Sequence, residues 1–331
     1  MALPNVGVVS TQDLSTLFTA VDTAFNKFSF DEETIADKIA FVGTQRGRIV
    51  QFPFSSPAGR EEVWPLGIDR KKADPQIFEA TVTNERYAPP DEQVFQATMD
   101  WDRYQILSSN LSKFTSRSKR VWDRLLAGMM IANPLSYDGV TLFNTAHPDN
   151  PVIPALGTYS NDLTNTDLDE AGLTSAIQSM AQVRWLDGNV IGMPMTDMYV
   201  VTGSKALELK ARKLIWGTLT PQIGTSAGTS VAASNVMPGM KGMIKDVVYL
   251  PELIDPTDVA TSSKRWYLVN ASDAGFRPLI VNVVHWPLFH YIGLSPNDYT
   301  RVRLGAVSYG WEANGGVAPG APQMIVRATL P

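Results

Sequence analysis

Tyr137-Asp138-Gly139-Val140-Thr141-Leu142-Phe143-Asn144-Thr145-Ala146-His147-Pro148 separates two kinds of sequence in this chain. It opens a turn-rich stretch that runs to Asn161, because Asp-Gly, Asn and Pro punctuate it at short intervals. His147 stands in the turn Thr145-Ala146-His147-Pro148, where a hydrogen-bonding role is expected rather than catalysis.

Ahead of this stretch, Pro89-Pro90-Asp91-Glu92 predicts a helix start, since proline suits a first turn and acids suit the positive end of the dipole. Leu107, Leu111, Phe114, Val121 and Leu125 share one face, with Trp122, Leu126 and Met129 beside it, and no proline intervenes before Pro134. Unbroken over 91–132, such a helix spans about 63 Å. That exceeds a compact domain of this size, so it is either broken near Ser108-Ser109-Asn110 or part of a flat, elongated molecule. Lys113, Arg117, Arg120 and Arg124 form a basic stripe along it, expected as a solvated face or a partner for acidic neighbours rather than a nucleic-acid contact.

Further upstream, 48–54 and 76–87 read as strands, the second with Phe78, Ala80 and Val82 alternating with Glu79, Thr81 and Thr83. Between them lies a long polar loop carrying Arg60, Trp64, Lys71 and Lys72; a loop of that length between paired strands usually has a function. At the N-terminus, Leu14, Leu17, Phe18, Val21, Phe25 and Phe28 predict an amphipathic helix over 10–28. It packs either on its own core or on a neighbouring subunit.

Downstream of the turn-rich stretch comes an α/β region. A capped helix is predicted over 166–185, a buried strand at 198–201, and a helix from Thr202-Gly203-Ser204 to about Ile215. A loop of small residues follows over 217–239, mobile or held by a partner. Strands are predicted at 243–250, 266–269 and 279–285. Three more are expected at 302–307, 309–312 and 324–328, with Gly315-Gly316 and Pro319-Gly320 as turns.

Composition narrows the chemistry. The chain has 331 residues, 44% hydrophobic and 18% charged, which is ordinary for a folded protein. Its mean hydropathy is -0.07. Twenty-eight basic against 33 acidic side chains give a net charge of -5, leaving no electrostatic case for sequence-independent nucleic-acid binding by the whole chain. The absence of Cys excludes disulfides, thiolate nucleophiles, Cys-ligated zinc and iron–sulfur clusters. The only histidines, His147, His285 and His290, form no close ligand pair, so neither a metal nor a cofactor is expected. No apolar run approaches the ~18 residues of a membrane span, and no signal segment is expected at the N-terminus.

Gly224-Thr225-Ser226-Ala227-Gly228 fits the G-x-S-x-G nucleophile pattern, with Asp255, Asp258, His285 and His290 following in hydrolase order. The motif requires a strand ending at the Ser and a helix behind it, yet it lies within the small-residue loop. An α/β-hydrolase using Ser226 is thus only an alternative. Glu61-Glu62 and Asp169-Glu170 suit solubility and helix dipoles better than glycosidase chemistry. No Walker-type phosphate loop or G-x-G-x-x-G turn occurs.

The stretch 137–148 resembles the Asp-Gly, Leu-Phe, His pattern of major head proteins of tailed bacteriophages, especially the Mu-like head subunit family. The resemblance continues through Ser160-Asn161, the helix around 172–180, Gly188, Met193, Pro194 and the unit 198–208, about a third of the chain. It implies the α+β Hong Kong 97 capsid fold. On that pattern 1–45 is an N-arm, 46–88 an extended loop hairpin and 89–164 a peripheral domain with a long spine helix. Residues 165–293 form an axial domain, and 294–331 are strands returning to the peripheral domain.

The implied function is non-enzymatic: assembly, through pentamers and hexamers of this chain, of an icosahedral shell enclosing double-stranded DNA without sequence-specific binding. Leu14, Phe18, Phe25, Arg60, Trp64, Lys71, Lys72, Arg117, Arg120, Thr225 and Ser226 are the candidate inter-subunit contacts. A separate scaffolding protein, a portal and a decoration protein are the implied partners, with no membrane. The resemblance also implies a place in the virion capsid, assembled in the host cytoplasm. A Lys-to-Asn cross-link like that of some relatives has no local support at Lys71 or Lys72. An encapsulin-like compartment with the same fold is the alternative from another class.

Overall fold

Two five-stranded sheets and the helix between them organise the chain. The computed structural model describes residues 15–16, 18–20, 22–23, 34–55, 77–95, 113–114, 116–149, 157–184, 190, 192, 194–217, 219–222, 231–234, 242–273, 277–293, 297–304 and 306–331. The first elements are α1 (Ile35–Ile39), β1 (Phe41–Gly43), β2 (Ile49–Ser55), β3 (Ile77–Thr83), β4 (Glu85–Tyr87) and β5 (Glu92–Phe95). Then come α2 (Val121–Ala132), β6 (His147–Pro148), β7 (Thr158–Tyr159), β8 (Asp162–Leu163), α3 (Glu170–Ala181), β9 (Met198–Thr202) and α4 (Lys205–Trp216). The chain continues through β10 (Leu219–Gln222), β11 (Val231–Ser234), β12 (Ile244–Tyr249), a 3-10 turn (Pro251–Leu253), α5 (Val259–Ser262) and β13 (Arg265–Asn270). It closes with β14 (Leu279–Ile292), α6 (Tyr299–Leu304), β15 (Ala306–Pro319) and β16 (Ile325–Thr329).

The second sheet has the order β12-β9-β13-β16-β8. Its central strands carry unbroken apolar runs, Met198 to Val201 in β9 and Trp266 to Val269 in β13, because both faces are covered. Met198 and Val200 of β9, with Trp266 and Leu268 of β13, point to a core under α3 and α4. Tyr199, Val201, Tyr267 and Val269 point the other way, into the core that holds α2. The period of two along a strand sorts the same run into two cores.

The first sheet is built on β14 and β15, antiparallel and 14 residues each, with β1 parallel to β14 and both β4 and β5 against β15. Sheet membership cuts across a division of the chain at 293: β14 belongs to the first sheet with β15, while β16 crosses to the second. Helix α2 lies on this sheet through Trp122, Leu126 and Met130, four residues apart and all buried. It stops where Asn133 turns left-handed (φ 51°) and donates its N–H to the Met129 carbonyl, and Pro134 cannot continue the helix.

The predicted hairpin is present as the antiparallel pair β2–β3, in register from Ile49↔Thr83 to Ser55↔Ile77, with Ala80 and Val82 inward as the alternation required. Residues 56–76 lie outside the described residues.

Four expectations need correction. The helix predicted from Asp91 does not start there: Glu92–Phe95 is strand β5, paired with Ala306 to Tyr309. The Pro-Pro-Asp-Glu signal is sound locally, but the edge of β15 offers a ladder, and Tyr309 donates its hydroxyl to Glu92 Oε2 at 2.5 Å. Residues 96–112 lie outside the described residues, helix is described from Lys113, and α2 proper measures about 18 Å. Helix α3 begins at Glu170 rather than at 166, because Asp169 accepts from the Gly172 N–H and so caps it there.

The small-residue loop 217–239 contains an antiparallel ribbon, β10 on β11, since a backbone ladder needs no large side chains. In the C-terminal tail, Tyr299–Leu304 is a helix, the strand expected at 309–312 is part of β15, which runs unbroken from Ala306 through Gly315-Gly316 to Pro319, and the strand expected at 324–328 is β16. Gly315 and Gly316 are not a turn. A Cβ on Gly315 would lie 2.2 Å from the Asn282 carbonyl oxygen and 2.6 Å from the Trp122 ring, and one on Gly316 would lie 2.2 Å from the Thr83 carbonyl oxygen. Glycine stands where two neighbours close on the strand.

Candidate functional site

Of the candidate contact residues, Phe18, Arg117 and Arg120 lie among the described residues. Phe18 is buried inside this chain, its ring 5.1 Å from Tyr291, 5.8 Å from Tyr309 and 5.9 Å from Phe289. It therefore fastens the N-terminal helix to the chain's own first sheet. Leu14, Phe25, Arg60, Trp64, Lys71, Lys72, Thr225 and Ser226 lie outside the described residues.

The basic stripe divides. Arg120 pairs with Glu252 in the 3-10 turn at 2.7 Å, tying the start of α2 to the second sheet's side of the molecule. Arg117 and Arg124 stay exposed, the Arg124 guanidinium donating to the Arg117 carbonyl at 3.0 Å. With Arg86 they face Pro89-Pro90-Asp91-Glu92 across a groove of about 820 Å³, floored by Phe114 and Trp311. Exposed arginines on one wall suit an acidic protein surface, and among the described residues the groove lining holds no Ser, Cys or His.

The hydrolase partners are engaged elsewhere. Asp255 accepts from the Thr257 N–H and hydroxyl, which hold its carboxyl below the usual range. Asp258 caps α5 at Thr261, and His290 pairs with Asp91 at 3.2 Å.

His147 occupies a buried polar cluster. Its Nδ1–H donates to Asp138 Oδ2 at 2.6 Å, its Nε2 faces the Leu142 carbonyl at 3.3 Å, and its ring stacks on Tyr159 at 5.1 Å. Burial raises the Tyr159 and Tyr137 phenols, keeping both neutral, and the Asp138 charge adds to both shifts. Gln323 donates to the Tyr137 hydroxyl, while Asn161 donates to the Leu142 and Pro322 carbonyls and accepts from the Asn144 N–H. Asn133, at the end of α2, brackets Phe143 by donating to its carbonyl and accepting from its N–H. The turn-rich stretch is thus a plug that joins the end of α2 to the C-terminal strands. Its polar groups serve structure.

Two buried polar links were not anticipated. Asp123 of α2 accepts from the Ala36 N–H of α1 at 3.0 Å. Asn282 of β14 binds Gln45 and Asn84. Each carries a sequence signal, a polar residue inside an apolar run: Val121-Trp122-Asp123-Arg124-Leu125 and Val281-Asn282-Val283.

Burial pushes the Asp123 carboxyl up to about 6 from 3.8, and Glu252 and Asp37 push the same way against the Ala36 N–H and Arg120. A carboxyl raised in the fold holds its proton more tightly there than in the open chain. Its charged form therefore opposes folding above pH 6, by about 3 kcal/mol, and that opposition fades as the pH falls toward 4. Asp123→Asn keeps the acceptor for Ala36 without the charge. It is expected to raise the unfolding free energy at pH 7 by about 1 to 2 kcal/mol and to flatten the profile between pH 4 and 6. Denaturant titrations across that range check it; a loss of stability at pH 7 contradicts it.

Among the described residues no group of three or more acidic or His side chains could hold a metal ion, and no helix is long and apolar enough to cross a membrane.

No protein-family model and no curated protein sequence matches the chain. Solved structures do. A chain from the capsid of cyanophage P-SCSP1u matches with a TM-score of 0.56 and 13% identity, over 91% of this chain and 89% of that one. A chain from the cyanophage Pam1 capsid matches at 0.51 and 10% identity, over 88% of each. The capsid of a native GTA particle matches at 0.51 and 11% identity, over 93% of this chain and 97% of its own. Identities this low carry the fold and nothing finer: the chain has the α+β Hong Kong 97 fold of phage capsid subunits.

Proposed function

We propose that this chain is a major capsid protein of a tailed phage, non-enzymatic, whose copies close into an icosahedral shell around double-stranded DNA. The observation that supports this reading best is a fold shared with capsid chains over about nine-tenths of the sequence. Such a shell needs heterologous contacts that close into five- and six-membered rings, with energy spread over many modest interfaces. A net charge of -5 suits a container that does not grip its genome. The narrower likeness to Mu-like head subunits rests on 137–148 and the segments after it.

Arg117 is a contact candidate on the described surface, and Arg124 beside it is equally exposed. Phe18 and Arg120 are used within the chain. The hairpin tip with Arg60, Trp64, Lys71 and Lys72, the N-terminal Leu14 and Phe25, and Thr225 and Ser226 between β10 and β11 remain part of the proposal. In this reading the β10–β11 ribbon stands near the axis where five or six copies meet.

Electron microscopy of the purified protein, expressed with and without its genomic neighbours, is the test. Uniform closed shells are expected; a stable 36.3 kDa monomer under every condition counts against the reading. The ultraviolet absorbance of the particle separates a DNA container from a compartment filled with cargo protein. Deleting residues 57–74 is expected to leave a folded subunit with unchanged circular dichroism that forms no shells. Normal shells from that deletion would contradict the role given to the hairpin tip.

A further inference from the structure

The β2–β3 ribbon is joined to the first sheet through a narrow root. Among the described residues its buried inner face, Val50, Phe52, Ala80 and Val82, shares a core of its own with Ile280 and Ala318, and two ring contacts flank it, Phe41 on Phe52 at 5.7 Å and Phe78 on Tyr137 at 5.0 Å. That is a small apolar contact for a seven-residue ribbon, and by itself it would let the ribbon pivot. Two glycines let the ribbon sit directly on backbone. A Cβ on Gly316 would stand 2.2 Å from the Thr83 carbonyl oxygen, and one on Gly43 would stand 2.6 Å from the Phe52 ring.

A directional, polar hold is added by an amide network. Asn282, fully buried in β14, donates from Nδ2 to the Gln45 carbonyl at 2.8 Å and to Asn84 Oδ1 at 2.9 Å, and accepts from the Gln45 N–H at 2.8 Å. Asn84 in turn donates from Nδ2 to the Gly47 carbonyl at 2.6 Å, and its N–H donates to the Arg48 carbonyl at 2.7 Å. Gln45 and Gly47 lead into β2, and Asn84 leaves β3. One side chain of β14 thus holds both legs of the ribbon where they meet the sheet.

We propose that Asn282 is the positioning residue of the hairpin, a clamp that sets the ribbon's direction in the isolated subunit before any neighbour is met. The clamp itself follows from the contacts within the chain, and only its consequence for shells rests on the capsid reading. Fixing direction in advance removes an ordering cost from each assembly contact.

The test is hydrogen exchange on the full-length soluble chain. Ladder-bonded amides of β2 and β3 are expected to be protected in the unmodified protein. In Asn282→Ala they are expected to exchange at least about tenfold faster, with β9 and β13 unchanged. Asn84→Ala, which leaves the Asn282 bonds to Gln45 intact, is expected to give a smaller increase confined to the same two strands. It serves as the readout if Asn282→Ala does not fold. Unprotected ribbon amides in the unmodified protein, unchanged ribbon exchange in both variants, or an equal rise throughout the chain would each overturn the clamp. Shell formation by the unmodified protein reports on the capsid reading separately.

Discussion

Asp138→Ala is expected to lower the unfolding free energy by about 3 kcal/mol or more. Asp138 and His147 are almost wholly inaccessible, at 1% and 0% side-chain exposure, so neither group can turn to water when its partner is lost. Removing the carboxylate leaves the His147 Nδ1–H facing nothing, deprives the Val140 N–H of its 3.1 Å acceptor, and opens a void behind Tyr159. An unpaired buried donor costs more than the net value of the bond it made, which is why the effect exceeds that of an exposed pair such as Lys210 with Asp167. Asp138→Asn retains an acceptor of the same shape and is expected to lose less than half as much. Chemical denaturation of the three proteins measures both. A change below about 0.5 kcal/mol for the alanine variant would mean that the plug contributes little to the fold.

Gly315→Val is expected to destabilise the chain by about 3 kcal/mol, the upper end of what overpacking costs. The added atoms meet a backbone carbonyl on one side, at Asn282, and the edge of Trp122 on the other, at 2.6 and 2.9 Å. A carbonyl held in the β14–β15 ladder cannot swing aside, and Trp122 is 1% exposed, so the strain passes into the sheet and α2 together. Gly128 gives the contrast: it lies mid-helix in α2 with nothing within 4 Å of a Cβ. Gly128→Ala is therefore expected to stabilise by about 0.5 to 1 kcal/mol through helix propensity alone. If both glycine variants shift the denaturation midpoint in the same direction, steric approach is not the reason for Gly315.

Much of the local structure was legible because its cause is local. Met198 to Val201 and Trp266 to Val269 are unbroken apolar runs, which is what strands covered on both faces require. The alternation of Phe78, Ala80 and Val82 set the inward face of β3, and a side-chain period of two then excludes any one-residue slip against β2. The Asp138-Gly139 turn announced itself too, and Gly139 takes φ 78°. The stretch 137–148 also carried the resemblance that named the fold. What it left open was how the fold uses it. Asp138 and His147 are only nine residues apart, yet their burial depends on Tyr159, Asn161 and Gln323 closing over them.

By itself, the sequence determined which segments alternate, which turn, which chemistries are absent and which family pattern the turn-rich stretch follows. Only the tertiary structure decided that 92–95 joins a sheet instead of starting a helix, that Gly315-Gly316 runs straight, and that Phe18 belongs to the chain's own core. It also decided that Asp123 and Asn282 are links, since the partners of these buried groups stand 87, 198 and 237 residues away. A propensity is settled within about one turn of chain. Whether an open strand edge, a missing Cβ or a buried amide finds its complement is settled by residues that only the fold brings alongside, and there the ladder or the close contact outweighs the local preference.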